Sequence, residues 1–96
     1  MKVIFSDEAD RDLLQIHAYL AERNPDAAIA LANEFKRKIE NLSRFPFIGR
    51  ERNNIAKDLR SIVAETYVIF YIVERAHLTI VRVLDGRRDI DAEFQR

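Results

Sequence analysis

The chain has no cysteine, no tryptophan, one methionine, two glycines and two prolines among 96 residues. Without cysteine there is no disulfide and no thiolate-held zinc, and a reducing compartment suits it. Two histidines are too few for a histidine-rich metal centre. With glycine only at Gly49 and Gly86, neither a P-loop nor a dinucleotide turn can be built. The formal net charge is zero, so the chain lacks the basic surplus that nucleic-acid binders use. No sequence-specific DNA binding by this chain is expected. No apolar run approaches the ~20 residues that span a membrane. The start, MKVIFSDEAD, has no signal-peptide core. A cytoplasmic protein without cofactor, metal or membrane contact is the expectation.

What the chain does have is 48% hydrophobic and 33% charged residues, the balance of a folded globular domain. One domain over 1–96 is expected, with one modest core, because a chain this short buries only roughly 60–65% of its unfolded surface. The charge is unevenly placed. Residues 1–26 carry six acidic side chains against three basic ones, and residues 36–60 carry eight basic against three acidic. An acidic start therefore precedes a basic middle.

KVIF at 2–5 reads as a short strand. Ser6 then has the character of a helix N-cap, with Asp7, Glu8 and Asp10 placed where the helix dipole favours negative charge. Ala9, Leu13, Ile16 and Leu20 recur at helical spacing, predicting a helix over about 6–22. Asn24-Pro25 restarts the pattern as cap and first helical residue. Ala28, Leu31, Ala32, Phe35, Ile39 and Leu42 then predict a second helix over 25–43. The short break between them argues for an antiparallel hairpin. FPFIG at 45–49 ends the helical region, and the polar stretch RERNNIAKD reads as a mobile loop.

Strand-forming runs follow at 58–64, 67–74 and 77–85, joined by links short enough for hairpins. The middle run, YVIFYIVE, is apolar on both faces, as a central strand covered on both sides would be, or one awaiting a partner. The chain closes with RRDIDAEFQR, whose composition allows a short helix. The fold class is α+β, in the order β-α-α-β-β-β. The helical hairpin packs on a mostly antiparallel four-stranded sheet.

The densest charge lies in RVLDGRRDID, residues 82–91, at the exit of this apolar region. Arg82 alternates with Leu78, Ile80 and Leu84, and Arg60 with Ile62 and Ala64, so each puts a charge on an otherwise apolar face. Such a charge either snorkels, pairs with a carboxylate such as Asp58, Glu74 or Asp89, or recognises an anion. In the last case Arg60, Arg82, Arg87 and Arg88 would grip phosphate or acidic side chains with their guanidinium forks. As a nuclease centre the cluster lacks helpers. Arginine stabilises phosphorane charge but hardly exchanges a proton, and only Asp89, Asp91, Glu93 and Phe94 lie near the C-terminus. His17 and His77 read as packing or surface residues. Tyr19, Tyr67 and Tyr71 read as buried rings with bonded hydroxyls.

Several phrases taken in order resemble the toxins of the RelE/ParE superfamily. They are Ala9 with Asp12-Leu13 and Ile16, Tyr19-Leu20, Asn24-Pro25 with Ala27-Ala28, and Leu42 with Phe45-Pro46 and Gly49-Arg50. Leu59-Arg60, Tyr67 to Tyr71, and Arg82-Val83-Leu84 leading into Gly86-Arg87-Arg88-Asp89-Ile90 complete the set. The resemblance implies the toxin half of a bacterial type II toxin–antitoxin pair. Its partner would be a ParD-like antitoxin with a ribbon-helix-helix part and a tail that wraps the toxin. ParE-like members poison DNA gyrase by stabilising its cleaved-DNA complex, whereas RelE-like members cleave messenger RNA on the ribosome. FPFIGR and YVIFY look closer to the ParE side. Arg60 and Arg82 match the basic positions of the nuclease branch, but Phe94 stands where that branch has a C-terminal tyrosine. The resemblance thus implies gyrase as the target and no catalytic residue. Arg60, Arg82, Arg87, Arg88, Asp89 and Phe94 would form a docking surface for target or antitoxin, and the antitoxin would hide the apolar sheet. The alternatives are a ribosome-dependent nuclease using Arg60 and Arg82, or a weakly toxic antitoxin-binding module.

Overall fold

A computed structural model of the chain describes residues 1–95. Its elements are β1 (Lys2–Phe5), α1 (Asp7–Arg23), α2 (Pro25–Arg44), β2 (Arg50–Glu51), β3 (Leu59–Ala64), β4 (Tyr67–Val73), β5 (His77–Asp85) and α3 (Ile90–Phe94). The caps sit where the sequence puts them. The Ser6 hydroxyl accepts from the Ala9 N–H at 3.0 Å, and the Asn24 side chain accepts from the Ala27 N–H at 3.2 Å. Each such cap is worth about 1 kcal/mol. Asn24 also closes α1, its N–H bonding the Leu20 carbonyl, so one residue ends one helix and begins the next.

The sheet has five strands, in the order β1-β5-β4-β3-β2, rather than the expected four. The extra strand lies within the segment expected to be a mobile loop: Arg50 and Glu51 pair with Ser61 and Arg60. The rest of that loop is also tied down. Asn53 Oδ1 accepts from the Asp58 N–H at 2.9 Å, and Ile55 and Ala56 pack beneath the sheet. β3, β4 and β5 form the antiparallel meander, and β1 joins β5 in parallel.

The strand alternation separates two apolar clusters. On the helix-covered face, Ile69, Tyr71, Leu78, Ile80 and Val83 pack against Ala9, Leu31, Phe35 and Leu42. On the other face, Leu59, Phe70 and Leu84 pack with Ile55, Ile90 and Phe94. Burying each large side chain contributes about 1.5–3 kcal/mol. β4 is therefore the central strand, and the chain itself covers both its faces. The part of the expectation that left the apolar sheet to an antitoxin is corrected here: α3 and the 52–58 segment already lie on it.

One irregularity matters for the charged exit. Ile80 faces Tyr71 and Arg82 faces Phe70, which leaves Val81 as an extra residue in β5. The bulge reverses the alternation. Ile80 points to the helices, while Arg82 and Leu84 belong to the opposite face, so Arg82 does not share a face with Leu78 and Ile80 as simple alternation predicts. Ser6 anchors this point, donating its N–H to the Ile80 carbonyl and its hydroxyl to the Val81 carbonyl, both at 2.9 Å. Among the described residues no helix is long and apolar enough to cross a membrane.

Candidate functional site

β1 ends at Phe5, so the second half of β5 would present an open edge. α1 crosses that edge and fills it with Asp12. One carboxylate oxygen of Asp12 accepts the Val83 N–H at 2.9 Å and the Arg82 Nε–H at 2.8 Å; the other accepts Arg82 Nη2 at 3.0 Å. The pair is mostly buried, with 11% of the Asp12 and 21% of the Arg82 side chain exposed. These hydrogen bonds hold the Arg82 guanidinium even more firmly protonated, against the opposing effect of burial. The same guanidinium lies 3.7 Å from Glu93 of α3, whose other oxygen takes Arg88 at 2.6 Å. Asp12, Arg82, Glu93 and Arg88 thus make a chain of alternating charge that joins α1, β5 and α3.

Asp58, Glu74 and Asp89 are the carboxylates expected to pair with Arg60 or Arg82; the structure gives Arg82 Asp12 and Glu93 instead, and Arg60 Glu51. Seventy residues separate Asp12 from Arg82, and no local pattern links them. A sign was present all the same. Asp12 stands between Ala9 and Ile16 on the apolar stripe of α1, where a carboxylate needs a buried partner.

Arg87 and Asp85 form a separate, outward pair. Asp85 takes the Arg87 N–H, Nε and Nη2, the last at 2.7 Å. These bonds pull the Asp85 carboxyl down to about 2. The Arg87 side chain stays 81% exposed. Asp89 caps α3 by accepting from the Ala92 N–H at 3.2 Å. Phe94 sets its ring edge-on to Phe70, with centroids 4.9 Å apart.

Arg60 lies elsewhere. It faces Tyr71 on the helix side of the sheet, whereas Arg82 faces Phe70 on the other. Its guanidinium donates to the carbonyls of Phe47 at 3.1 Å and Gly49 at 2.9 Å, and pairs with Glu51 at 3.2 Å. The structure therefore joins Arg82 to Arg88 through Glu93, sets Arg87 and Asp89 on the adjoining turn, and places Arg60 apart from all of them.

Beside this exit, Asp12, Ile16, Tyr19, Tyr67, Arg87 and Arg88 line a groove of about 230 Å³ between α1 and the sheet. Burial, aided by Asp85, raises the Tyr67 phenol above its ordinary value. Tyr71 alone fits the expectation of a buried ring with a bonded hydroxyl. Tyr19 instead lies 54% exposed beneath the Arg23 guanidinium. His17 lines the apolar cleft between the two long helices, and His77 pairs with Glu74. Neither histidine meets Arg82. Two carboxylates neutralise Arg82, and the nearest C-terminal ring, Phe94, has no hydroxyl. The arrangement is chemically suited to holding elements together and presenting charge, and poorly suited to moving protons.

Comparison with known proteins gives the same architecture. A structure described as the chromosomal ParDE TA system from P. aeruginosa superposes with a TM-score of 0.74 at 17% identity, over 88% of this chain and 95% of that one. Toxin ParE3 of Caulobacter vibrioides is 28% identical over 94 residues, which is 97% of this chain and 94% of the relative. The family described as "ParE toxin of type II toxin-antitoxin system, parDE" matches residues 3–90, from the first strand to the turn after the Arg82–Arg88 cluster. A match of that extent settles the membership: this chain belongs to the ParE toxin family of type II toxin–antitoxin systems.

Proposed function

We propose that this toxin arrests bacterial growth by inhibiting DNA gyrase, stabilising the cleaved-DNA complex, and that a ribbon-helix-helix antitoxin of the ParD type neutralises it. The observation that carries the gyrase reading is the engagement of the two arginines a nuclease would need. Arg82 is locked by Asp12, and Arg60 is spent on the carbonyls of Phe47 and Gly49. Neither is free to meet a phosphorane, and the two stand on opposite faces of the sheet. A non-enzymatic toxin needs only a rigid surface. The turn carrying Arg87, Arg88 and Asp89, with α3 and Phe94 behind it, provides one in the cytoplasm where gyrase works. A partner antitoxin is supported by family membership and by the ParDE system of the structural neighbour.

The test is to express the chain alone in bacteria and pulse-label DNA and protein synthesis in the first minutes. An early fall in DNA synthesis with gyrase-linked breaks is expected. An early fall in protein synthesis would shift the assignment to a ribosome-dependent nuclease, and normal growth would leave an antitoxin-binding module.

A further inference from the structure

The connection from α2 to β2 has a feature that the charged exit does not use. Phe45, Phe47 and Ile48 are 60%, 64% and 62% exposed, within four consecutive residues around Pro46. Together with Arg44 they line a shallow depression of about 470 Å³. Clustered large apolar side chains turned to water mark interaction sites, whereas single ones do not.

The backbone beneath these side chains is fixed from three directions. The Gly49 N–H donates to the fully buried Tyr71 hydroxyl at 2.8 Å. Arg60 donates to the Phe47 and Gly49 carbonyls, and the Ile48 N–H closes a turn on the Phe45 carbonyl at 3.1 Å. A fixed turn loses little entropy when its side chains are covered.

The flanking charge says what covers it. Arg44 and Arg50 border the tip and are exposed, while the neighbouring Glu51 is taken by Arg60. A second copy of this chain docking through the same tip would bring these arginines together, which is repulsive. An acidic occupant would be attracted, and aromatic side chains beside arginine are the usual composition of an interface hot spot.

We propose that the Arg44–Arg50 tip is a docking site for an acidic segment of the antitoxin that carries apolar anchors. The inference rests on the reading of this chain as an antitoxin-neutralised toxin. The experiment uses the full chain and a ribbon-helix-helix antitoxin of the ParD type, sought in the reading frame beside its gene, purified as a co-expressed complex and compared by dissociation constant. Phe45→Ser/Phe47→Ser/Ile48→Ser is expected to weaken the complex by about thirtyfold or more. Arg44→Glu/Arg50→Glu is expected to weaken it by about tenfold at low salt, and less as salt rises. Both variants touch exposed side chains and are first checked for an unchanged circular dichroism spectrum and melting temperature. Wild-type affinity in both folded variants overturns the docking site and leaves the antitoxin reading intact. A wild-type chain that forms no complex with the antitoxin overturns both. Loss of binding to phosphatidylglycerol vesicles in the variants, with antitoxin affinity unchanged, assigns the tip to a membrane surface and rejects the proposal.

Discussion

Asp12 and Arg82 form a side-on, two-bond ion pair across the edge of the sheet, and the same carboxylate completes the hydrogen bonding of Val83. The pair does what β1 would do if it were longer. It closes the open edge of β5 and fixes α1 to the sheet at the point where the bulge turns the chain.

Asp12→Ala is accordingly expected to cost about 3 kcal/mol, because it removes both hydrogen bonds of a mostly buried guanidinium, leaving it only Glu93 at 3.7 Å, and strands the Val83 N–H as well. Arg82→Met should cost less, and the double variant Asp12→Ala/Arg82→Met should recover part of the loss, since no unpaired guanidinium remains and only the Val83 N–H is left without its acceptor. Urea unfolding of the four proteins measures this. A double variant as unstable as the sum of its parts would show that the two residues act independently.

Gly49 needs its missing side chain for space and not for backbone freedom. A Cβ there would lie 2.7 Å from Tyr71 Cε1 and 2.9 Å from Cζ, and that ring is fully buried. Gly49→Ala is expected to destabilise the protein by about 1–3 kcal/mol through this overlap. Tyr71→Phe, which leaves the Gly49 N–H without its acceptor, should cost a similar ~1–3 kcal/mol. Thermal melts of both variants test the pair. An unchanged melting temperature for Gly49→Ala would mean that Tyr71 can yield, and that the tip is not fixed from beneath.

Asp85 sets an acid-side dependence. Its folded-state value of about 2 lies below that of an ordinary aspartate, so the carboxylate form is favoured by folding. The stabilisation is present above the unfolded value, near 3.8, and is lost as pH falls through about 2. The gap in stability between wild type and Asp85→Asn should therefore be constant near neutrality and narrow below pH ~4. A carboxyl titration followed by NMR gives the value directly, and an ordinary aspartate midpoint would remove the role assigned to Arg87.

The parts of the fold legible in the sequence were those governed by local rules. Ser6 and Asn24 marked helix boundaries because capping is a matter of a few neighbouring atoms, and the apolar period marked both long helices and the three meander strands. The charged exit was visible as a cluster, but its internal wiring was not. The bulge at Val81 changes which face Arg82 occupies without any glycine or proline to signal it. The Asp12 partner is reached only through the tertiary fold. β2 was hidden in a polar stretch because two residues bonded to one neighbour carry no periodicity. The coverage of the second sheet face depended on Phe94 and Ile55, each isolated in a polar surrounding and meaningful only once Phe70 and Leu84 are beneath them.

The most direct test of the central claim is to incubate the purified chain with gyrase and supercoiled plasmid, and in parallel with ribosomes translating a defined messenger. The account predicts linear DNA covalently bound to gyrase, abolished by adding the antitoxin, with the messenger intact. Cleaved messenger without gyrase-linked DNA breaks would contradict it.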